Sequence, residues 1–216
     1  MAVLSKREII RRLDLDPWDP KGLVVTPLLD EKSVFDTDSI DLRLGTQFLL
    51  PRLASSREAH LSRGETSSSA YVVLNVPLSR YLVIPAHQTV LGATLEFIKL
   101  PHDVAGEILT KSSLARTFTL IETAPWIHPY YRGCLTLEIA NVSNTPLLLY
   151  PGTRIGQMVL LKAEPAPEVD GQLKGSYFGP VYPEGPKGKT PIRELIDIGV
   201  KRPWIIPAPR RSSGDE

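Results

Sequence analysis

The sequence predicts an all-β protein, built as an antiparallel sandwich or barrel. Between residues 71 and 161, short apolar runs follow one another, and each is bounded by Pro, Gly or Asn. Regular spacing of this kind is typical of antiparallel strands joined by turns. The 20 prolines favour short elements over long helices. Strands do not alternate with helices, which argues against a parallel doubly wound sheet.

The first element is a predicted helix over residues 4–13. Ser5 has the residue type of an N-cap, and Glu8 three positions later completes a capping box. One face of this helix is apolar: Leu4, Ile9, Ile10 and Leu13. The sequence DPWDPKG ends the helix, and a short strand follows over residues 23–25.

Residues 36–50 alternate as a half-buried strand does, with a turn or bulge at Gly45. The apolar face carries Ile40, Leu42 and Leu44, and the opposite face carries Ser39, Asp41 and Arg43. Asp41 and Arg43 share that face, so an ion pair and simple solvent exposure are both open. Residues 51–70 are rich in Ser and Arg without a period, which predicts an exposed, mobile loop.

The strands predicted beyond that loop are YVVLNV, YLVI, TVLGATLEFIKL, AGEILT, TFTLIET, CLTLEIAN, PLLLY and IGQMVLL. After residue 162 the chain is rich in Gly, Pro and Lys. Residues 191–199 predict a short helix with Pro191 in its first turn, and the last residues are expected to fray.

Composition excludes several classes of protein. The chain has 25 Lys plus Arg against 24 Asp plus Glu, a balance that argues against non-specific nucleic-acid binding. The single Cys134 excludes an intramolecular disulfide and fits a reducing compartment. No signal peptide is expected, and no apolar stretch reaches the roughly 18 residues that a membrane span needs. We therefore expect a cytoplasmic protein that contacts neither nucleic acid nor membrane.

The residue pattern offers no metal site. The four histidines and one cysteine have no ligand spacing for zinc. Cys134 follows Gly133 at a strand start, where a buried structural thiol is the better interpretation than a nucleophile. The histidines are His60, His87, His102 and His128.

Residues Lys111, Ser112 and Ser113 provide a cation, two hydroxyls and backbone amides at a turn, a combination that can hold an anion. A second cationic cluster comprises Lys174, Tyr177, Lys187 and Lys189. For both clusters a solvated basic surface is the open alternative.

Glu138 is the strongest acid–base candidate. Alternation places Leu135, Leu137 and Ile139 on one face of its strand, and Glu138 with Thr136 on the other. That second face either lines a pocket or meets solvent, and the pattern alone leaves both open.

Four segments in this order resemble the dCTP deaminases of the dUTPase-like superfamily. They are SIDLRLG (39–45), VLGATLEFIKLPHDVAGEILTKSSLAR (90–116), TAPWIHPYYRGCLTLEIAN (123–141) and PLLLYPGTRIGQMVL (146–160). The resemblance implies a distorted, jelly-roll-like β-barrel of the dUTPase type with short N- and C-terminal helices. It implies a domain over residues 1–182 followed by an extension over residues 183–216. It also implies a homotrimer with active sites between subunits.

The resemblance further implies hydrolytic deamination of dCTP to dUTP and ammonia without zinc, in which Glu138 is general base and then general acid. Ser112 and Arg116 would orient the attacking water and hold both Glu138 and the cytosine base of the substrate. The substrate-binding positions that the resemblance implies are Lys111, Ser113, Thr123, Ala124, His128, Lys174 and Tyr177. Mg²⁺ would be bound through the triphosphate.

This chain departs from the family pattern at several of those positions. The family has Gly-Arg where this chain has Thr110-Lys111, and lysine loses the bidentate fork of arginine. His128 replaces an aspartate that in related dUTPases contacts the sugar and positions water. Lys174 lies three positions before Tyr177, and the Gln of the family's C-terminal lid is missing.

Three functions therefore stay open: a dCTP deaminase, a dUTP pyrophosphatase or bifunctional deaminase–dUTPase, and a non-catalytic trimeric nucleotide-binding homologue. His128 argues against efficient hydrolysis of dUTP.

Overall fold

The computed structural model describes residues 2–29, 38–52, 71–121, 125–164 and 179–184. Within these ranges the protein is mainly β-structure, which confirms the predicted all-β class. The helices in the described ranges are α1 (Lys6–Leu13) and α2 (Ser112–Ala115). The strands are β1 (Val24–Thr26), β2 (Ser39–Arg43), β3 (Gln47–Pro51), β4 (Tyr71–Asn75), β5 (Leu82–Ile84), β6 (Thr89–Lys99), β7 (Val104–Thr110), β8 (Thr119–Ile121), β9 (Trp126–Ile127), β10 (Arg132–Asn141), β11 (Leu147–Leu149) and β12 (Arg154–Lys162).

The described strands form three antiparallel sheets. The largest has the order β4-β3-β6-β10-β8, and β1 pairs with a further stretch of β6. A second sheet has the order β2-β12-β7-β9, and β5 pairs with β11 in a third. An isolated bridge between Leu44 and Thr94 joins the end of β2 to β6 and so links the two larger sheets. This arrangement is compatible with the predicted distorted barrel.

The core lies between the sheets and is built from the inward face of each strand. The alternation predicted for β2 is confirmed, since Ile40, Leu42 and Leu44 are fully buried. Ser39, predicted on the opposite face, is also buried: it is 7% exposed at the start of β2, opposite Val159 of β12.

The N-terminal helix begins two residues later than predicted. Ser5 is its N-cap and accepts a hydrogen bond from the Glu8 amide at 3.4 Å. The second half of the predicted capping box is not formed, because the Glu8 carboxylate binds Arg11 and Arg12. Leu4 lies outside the helix, where its amide bonds the carbonyl of Leu160 and its side chain is buried.

A buried ion pair fixes this helix to the sheets. Arg12 donates to both carboxylate oxygens of Asp103 at 2.7 Å, and both residues are less than 10% exposed. Asp103 precedes β7, so the pair ties the helix to the turn between β6 and β7. The Arg12 guanidinium lowers the pKa of the Asp103 carboxyl, although burial opposes this effect.

Two short elements were not predicted, α2 and β9. Each has four residues or fewer and therefore no periodic pattern of its own. Most of the predicted loop (53–70) and the whole predicted helix (191–199) lie outside the described residues. The division at residue 182 stays a prediction. Among the described residues, no helix has the length and apolar character to cross a membrane.

Candidate functional site

The turn that carries the predicted anion cradle directly follows β7. Lys111 is the N-cap of α2, and its carbonyl accepts from the amides of Leu114 and Ala115, both at 2.9 Å. The Arg116 amide then bonds the Ser112 carbonyl at 3.1 Å. Ser112, Ser113 and Arg116 are all exposed on this turn. Their side chains are therefore accessible to a ligand or to a neighbouring subunit.

Lys111 has a partner that the sequence did not identify. Its Nζ lies 2.7 Å from both Oδ1 and Oδ2 of Asp41 on β2. The Asp41 side chain is only 9% exposed, and that of Lys111 is 25% exposed. Arg154 of β12 approaches the same carboxylate at 3.6 Å. The open question about Asp41 is thereby decided in favour of an ion pair, although with Lys111 and Arg154 as the cations.

Glu138 lies near the end of β10, and the predicted alternation of this strand is confirmed. Leu137 and Ile139 are 1% and 0% exposed on the core face, while Glu138 and Thr136 are half-buried on the other. Glu138 is opposite Leu91 of β6. A carboxylate in such a half-buried strand position is shielded from bulk water without losing access to a ligand.

Strand β8 brings the turn and β10 together. Ile121 of β8 pairs with Ile139, which is the neighbour of Glu138 in sequence. The amide of the same Ile121 bonds the Thr110 hydroxyl at 3.0 Å, one residue before Lys111. The start of the turn therefore lies near the part of β10 that carries Glu138. Direct contact of Glu138 with Ser112 or Arg116 stays a prediction.

A segment over residues 179–184, here called the β10 strap, runs along β10. The Gly179 amide bonds the Arg132 carbonyl at 2.7 Å, and the Cys134 amide bonds the Pro180 carbonyl at 2.7 Å. Farther along, the Glu184 amide bonds the Thr136 hydroxyl at 3.1 Å. Successive contacts thus advance along β10 in the direction of Glu138.

Burial changes the proton affinity of three groups close to β10. It raises the pKa of the Glu96 carboxyl on β6, although hydrogen bonds from backbone amides oppose the change. It also raises the pKa of the Cys134 thiol and of the Tyr131 hydroxyl. Cys134 is 5% exposed, as expected for a structural thiol and not for a nucleophile.

The remaining predicted site residues have different outcomes. His128 follows β9 and is exposed, and its carbonyl accepts from the Tyr131 amide at 3.2 Å. Thr123, Ala124, Lys174 and Tyr177 lie outside the described residues, as do Lys187 and Lys189. Within the described part of the chain, no three His, Cys, Asp or Glu side chains converge as a metal site.

Comparison of the sequence with known proteins identifies relatives named as dCTP deaminases. A family model described as dCTP deaminase-like matches residues 3–163. A Rhodococcus opacus (strain B4) protein named dCTP deaminase, dUMP-forming, is 32% identical over 202 residues, 91% of this chain and 98% of that protein. A protein of the same name from Mycobacterium sp. (strain KMS) is 34% identical over 198 residues, 88% of this chain and 95% of its own length.

One solved structure adds a likeness of fold. The 2′-deoxycytidine 5′-triphosphate deaminase from Agrobacterium tumefaciens superposes with a TM-score of 0.54 at 22% identity. The match covers 73% of this chain and 47% of the other, so the chain spans about half of that protein. This likeness, together with the observed strands, confirms the predicted fold class.

Proposed function

The chain belongs to the dCTP deaminase-like family, and we propose on this basis that it catalyses the hydrolytic deamination of dCTP. Water adds to C4 of the cytosine, the exocyclic amine leaves as ammonia, and a uracil nucleotide results. The observation that carries the proposal is the position of Glu138, half-buried on the polar side of β10 beside the strand that follows the Ser112–Arg116 turn.

Glu138 is the proposed proton carrier. Its carboxylate takes a proton from the attacking water and gives a proton to the leaving amine, so that one group acts first as base and then as acid. Half-burial supports this role, since the carboxylate is partly shielded from bulk water and still accessible to a ligand. Ser112 and Arg116 are proposed to orient the attacking water and the cytosine ring of the substrate.

Substrate recognition is proposed to involve the rest of the turn. Ser113 and the backbone amides near it would contact the phosphates, and Thr123 and Ala124 the pyrimidine edge. Lys174 and Tyr177 would contact the phosphates from the C-terminal segment, and His128 lies at the proposed sugar position. Lys111 is engaged by Asp41 at 2.7 Å, so its proposed phosphate contact would be made alongside that ion pair.

Magnesium is proposed to enter as part of the substrate, bound to triphosphate oxygens. This ion usually keeps several waters and takes its other ligands mainly from phosphates. We also propose a homotrimer, because Ser112, Ser113 and Arg116 are exposed in the single chain and a neighbour could enclose them. Light scattering on the full chain would then give three times the chain mass, and a monomer mass would contradict the trimer.

A second product is favoured by the names of the relatives. Both Rhodococcus and Mycobacterium proteins are named as dUMP-forming. A bifunctional enzyme of that kind would also release pyrophosphate, although His128 stands where related dUTPases have an aspartate. The final product of this chain is therefore either dUTP or dUMP.

One incubation separates these functions. The full chain is mixed with dCTP and Mg²⁺, and ammonia, pyrophosphate, dUTP and dUMP are followed together. Ammonia with dUTP supports the deaminase, and ammonia with dUMP and pyrophosphate supports the bifunctional enzyme. Binding of dCTP without any product supports the non-catalytic homologue and contradicts the proposal.

A Glu138→Gln variant tests the mechanism. We expect its rate of ammonia release to fall at least about a hundredfold, the typical contribution of a general acid–base group, while the melting temperature stays near that of the wild type. Retention of the original rate would show that Glu138 is not the proton carrier. Glu107→Gln on β7 is the control for loss of a half-buried strand carboxylate elsewhere in the fold.

A further inference from the structure

We infer that Asp41 is a positioning residue for the reaction: it holds Lys111 and thereby fixes the turn that presents Ser112, Ser113 and Arg116. The inference rests on the proposed function, since it assigns a role within the same site. The resemblance implies that Lys111 contacts the phosphates, and it assigns no role to Asp41.

The contact itself is specific. Both oxygens of Asp41 lie 2.7 Å from the Lys111 ammonium, which uses two of the three N–H donors of the lysine. The Asp41 side chain is 9% exposed, so the pair is shielded from bulk water on the carboxylate side. Charge-assisted hydrogen bonds of this length are stronger than neutral ones. Lys111 is therefore held in one place before any substrate arrives.

Strand order explains why these two residues meet. Strand β12 pairs with β2 on one side and β7 on the other, and Gly156 is opposite both Leu42 and Thr110. Asp41 and Lys111 are the sequence neighbours of these two residues, so the ion pair spans β12 beside a position that has no side chain. Arg154 of β12 adds a second cation at 3.6 Å from the carboxylate.

The pair acts on the turn through the backbone of Lys111. The carbonyl of Lys111 accepts the first two hydrogen bonds of α2, and its amide bonds the Ile155 carbonyl at 3.4 Å. The Lys111 side chain itself makes no capping hydrogen bond to α2. A helix of four residues is not stable by itself. We therefore infer that anchoring its N-cap residue keeps the side chains that follow in fixed positions.

If Asp41 competed with the substrate for Lys111 instead of positioning the turn, the expected change in KM would have the opposite sign. If Asp41 merely competed with phosphate for Lys111, its removal would free the ammonium and lower the KM for dCTP. If Asp41 positions the turn, its removal lowers kcat and raises KM, because Ser112 and Arg116 lose their fixed geometry. The two roles are thus distinguished by the sign of the change in KM.

The test uses the full-length chain and four variants: Asp41→Asn, Asp41→Glu, Lys111→Met and the double variant Asp41→Asn/Lys111→Met. Glu8→Gln is the matched control, because Glu8 forms ion pairs of 2.7 and 2.8 Å that stay within α1. Each protein is measured for melting temperature, for kcat and KM with dCTP, and for hydrogen exchange of the amides of residues 114–116.

We expect Asp41→Asn to lower kcat/KM about tenfold, the scale of one charge-assisted hydrogen bond. Lys111→Met should lower it at least as much, because this variant also lacks the proposed phosphate contact. The double variant should lose no more than Lys111→Met alone, because both lack the same pair. Exchange of the turn amides should accelerate in each of these variants, Asp41→Glu should restore part of the activity, and Glu8→Gln should match the wild type.

A lower KM in Asp41→Asn, or turn amides that exchange at the wild-type rate, would overturn the inference. So would additive losses in the double variant. Complete inactivity of the wild-type chain toward dCTP would instead refute the proposed function. In that case the exchange experiment would still report whether Asp41 fixes the turn.

Discussion

Gly133 at the start of β10 is the position where a single methyl group should detach the β10 strap. Its φ is +143°, a backbone conformation that favours glycine. A Cβ built there would lie 2.5 Å from Cδ of Pro180 and 2.9 Å from the Pro180 carbonyl oxygen. Both distances are too short for any real contact. In Gly133→Ala, Pro180 must therefore move away from β10.

The expected free-energy cost of Gly133→Ala has three contributions. Forcing an alanine into a strained backbone region costs about 1 to 3 kcal/mol, and overpacking a filled site costs about the same again. Loss of the hydrogen bond from the Cys134 amide to Pro180 adds about 1 kcal/mol. Detachment of the strap relieves the overpacking, so we expect a locally open strap and a smaller loss of global stability.

Hydrogen exchange of the Cys134 and Glu184 amides measures this opening. In Gly133→Ala we expect both to exchange roughly a hundredfold faster, equivalent to about 2.7 kcal/mol of lost protection. Gly179→Ala is the matched control, because Gly179 also has a positive φ, +77°, but its built Cβ meets no atom of the described residues within 4 Å apart from its chain neighbours. It isolates the backbone cost from the clash.

Unchanged exchange at Cys134 in Gly133→Ala would refute this reasoning, since the strap would then tolerate the methyl group in place. Equal acceleration in Gly179→Ala would show that backbone strain alone, and not the clash with Pro180, sets the effect.

Two further substitutions test the buried charges. Because the folded state raises the pKa of Glu96 above its ordinary value near 4.5, the ionised carboxylate destabilises the fold at neutral pH and the neutral form does not. Glu96→Gln should therefore raise the melting temperature at pH 7 and leave it unchanged at pH 4; an equal shift at both values would contradict the assignment. Asp103→Asn removes one partner of a buried ion pair and should lower the free energy of unfolding by about 3 kcal/mol, measured by urea denaturation. A loss below about 0.5 kcal/mol, the size expected at an unconstrained surface site, would show that Arg12 is satisfied without Asp103, by Glu8 and the Lys21 carbonyl.

Much of the fold could be predicted because it depends on local patterns. Alternation in β2 and β10 identified the buried faces, and turn residues marked most strand ends. Local patterns failed where a residue's partner is distant in sequence. Leu4 has a helical pattern, yet it pairs with β12. No local pattern indicated that Ser39 is buried opposite Val159.

In the candidate site, too, features with a local pattern could be predicted and contacts between distant residues could not. Alternation placed Glu138 beside Thr136 on the face away from the core, and the composition of the Lys111–Ser113 turn identified a cation with two hydroxyls. No local pattern could identify Asp41 as the partner of Lys111, because 70 residues separate the two. Nor could any pattern predict that residues 179–184 would run along β10, since this segment has no strand periodicity.

The sequence by itself determined the all-β class, the inward face of each long strand, the two groups of candidate residues and the family. These properties depend on side-chain periodicity and on motifs that lie within a few residues of one another. Only the tertiary structure decided that β12 lies between β2 and β7, so that Asp41 meets Lys111, and that β8 links Thr110, which precedes the turn, to β10. The physical reason is that strand order is fixed by packing and by hydrogen bonds between distant segments, and neither has a local signal in the chain.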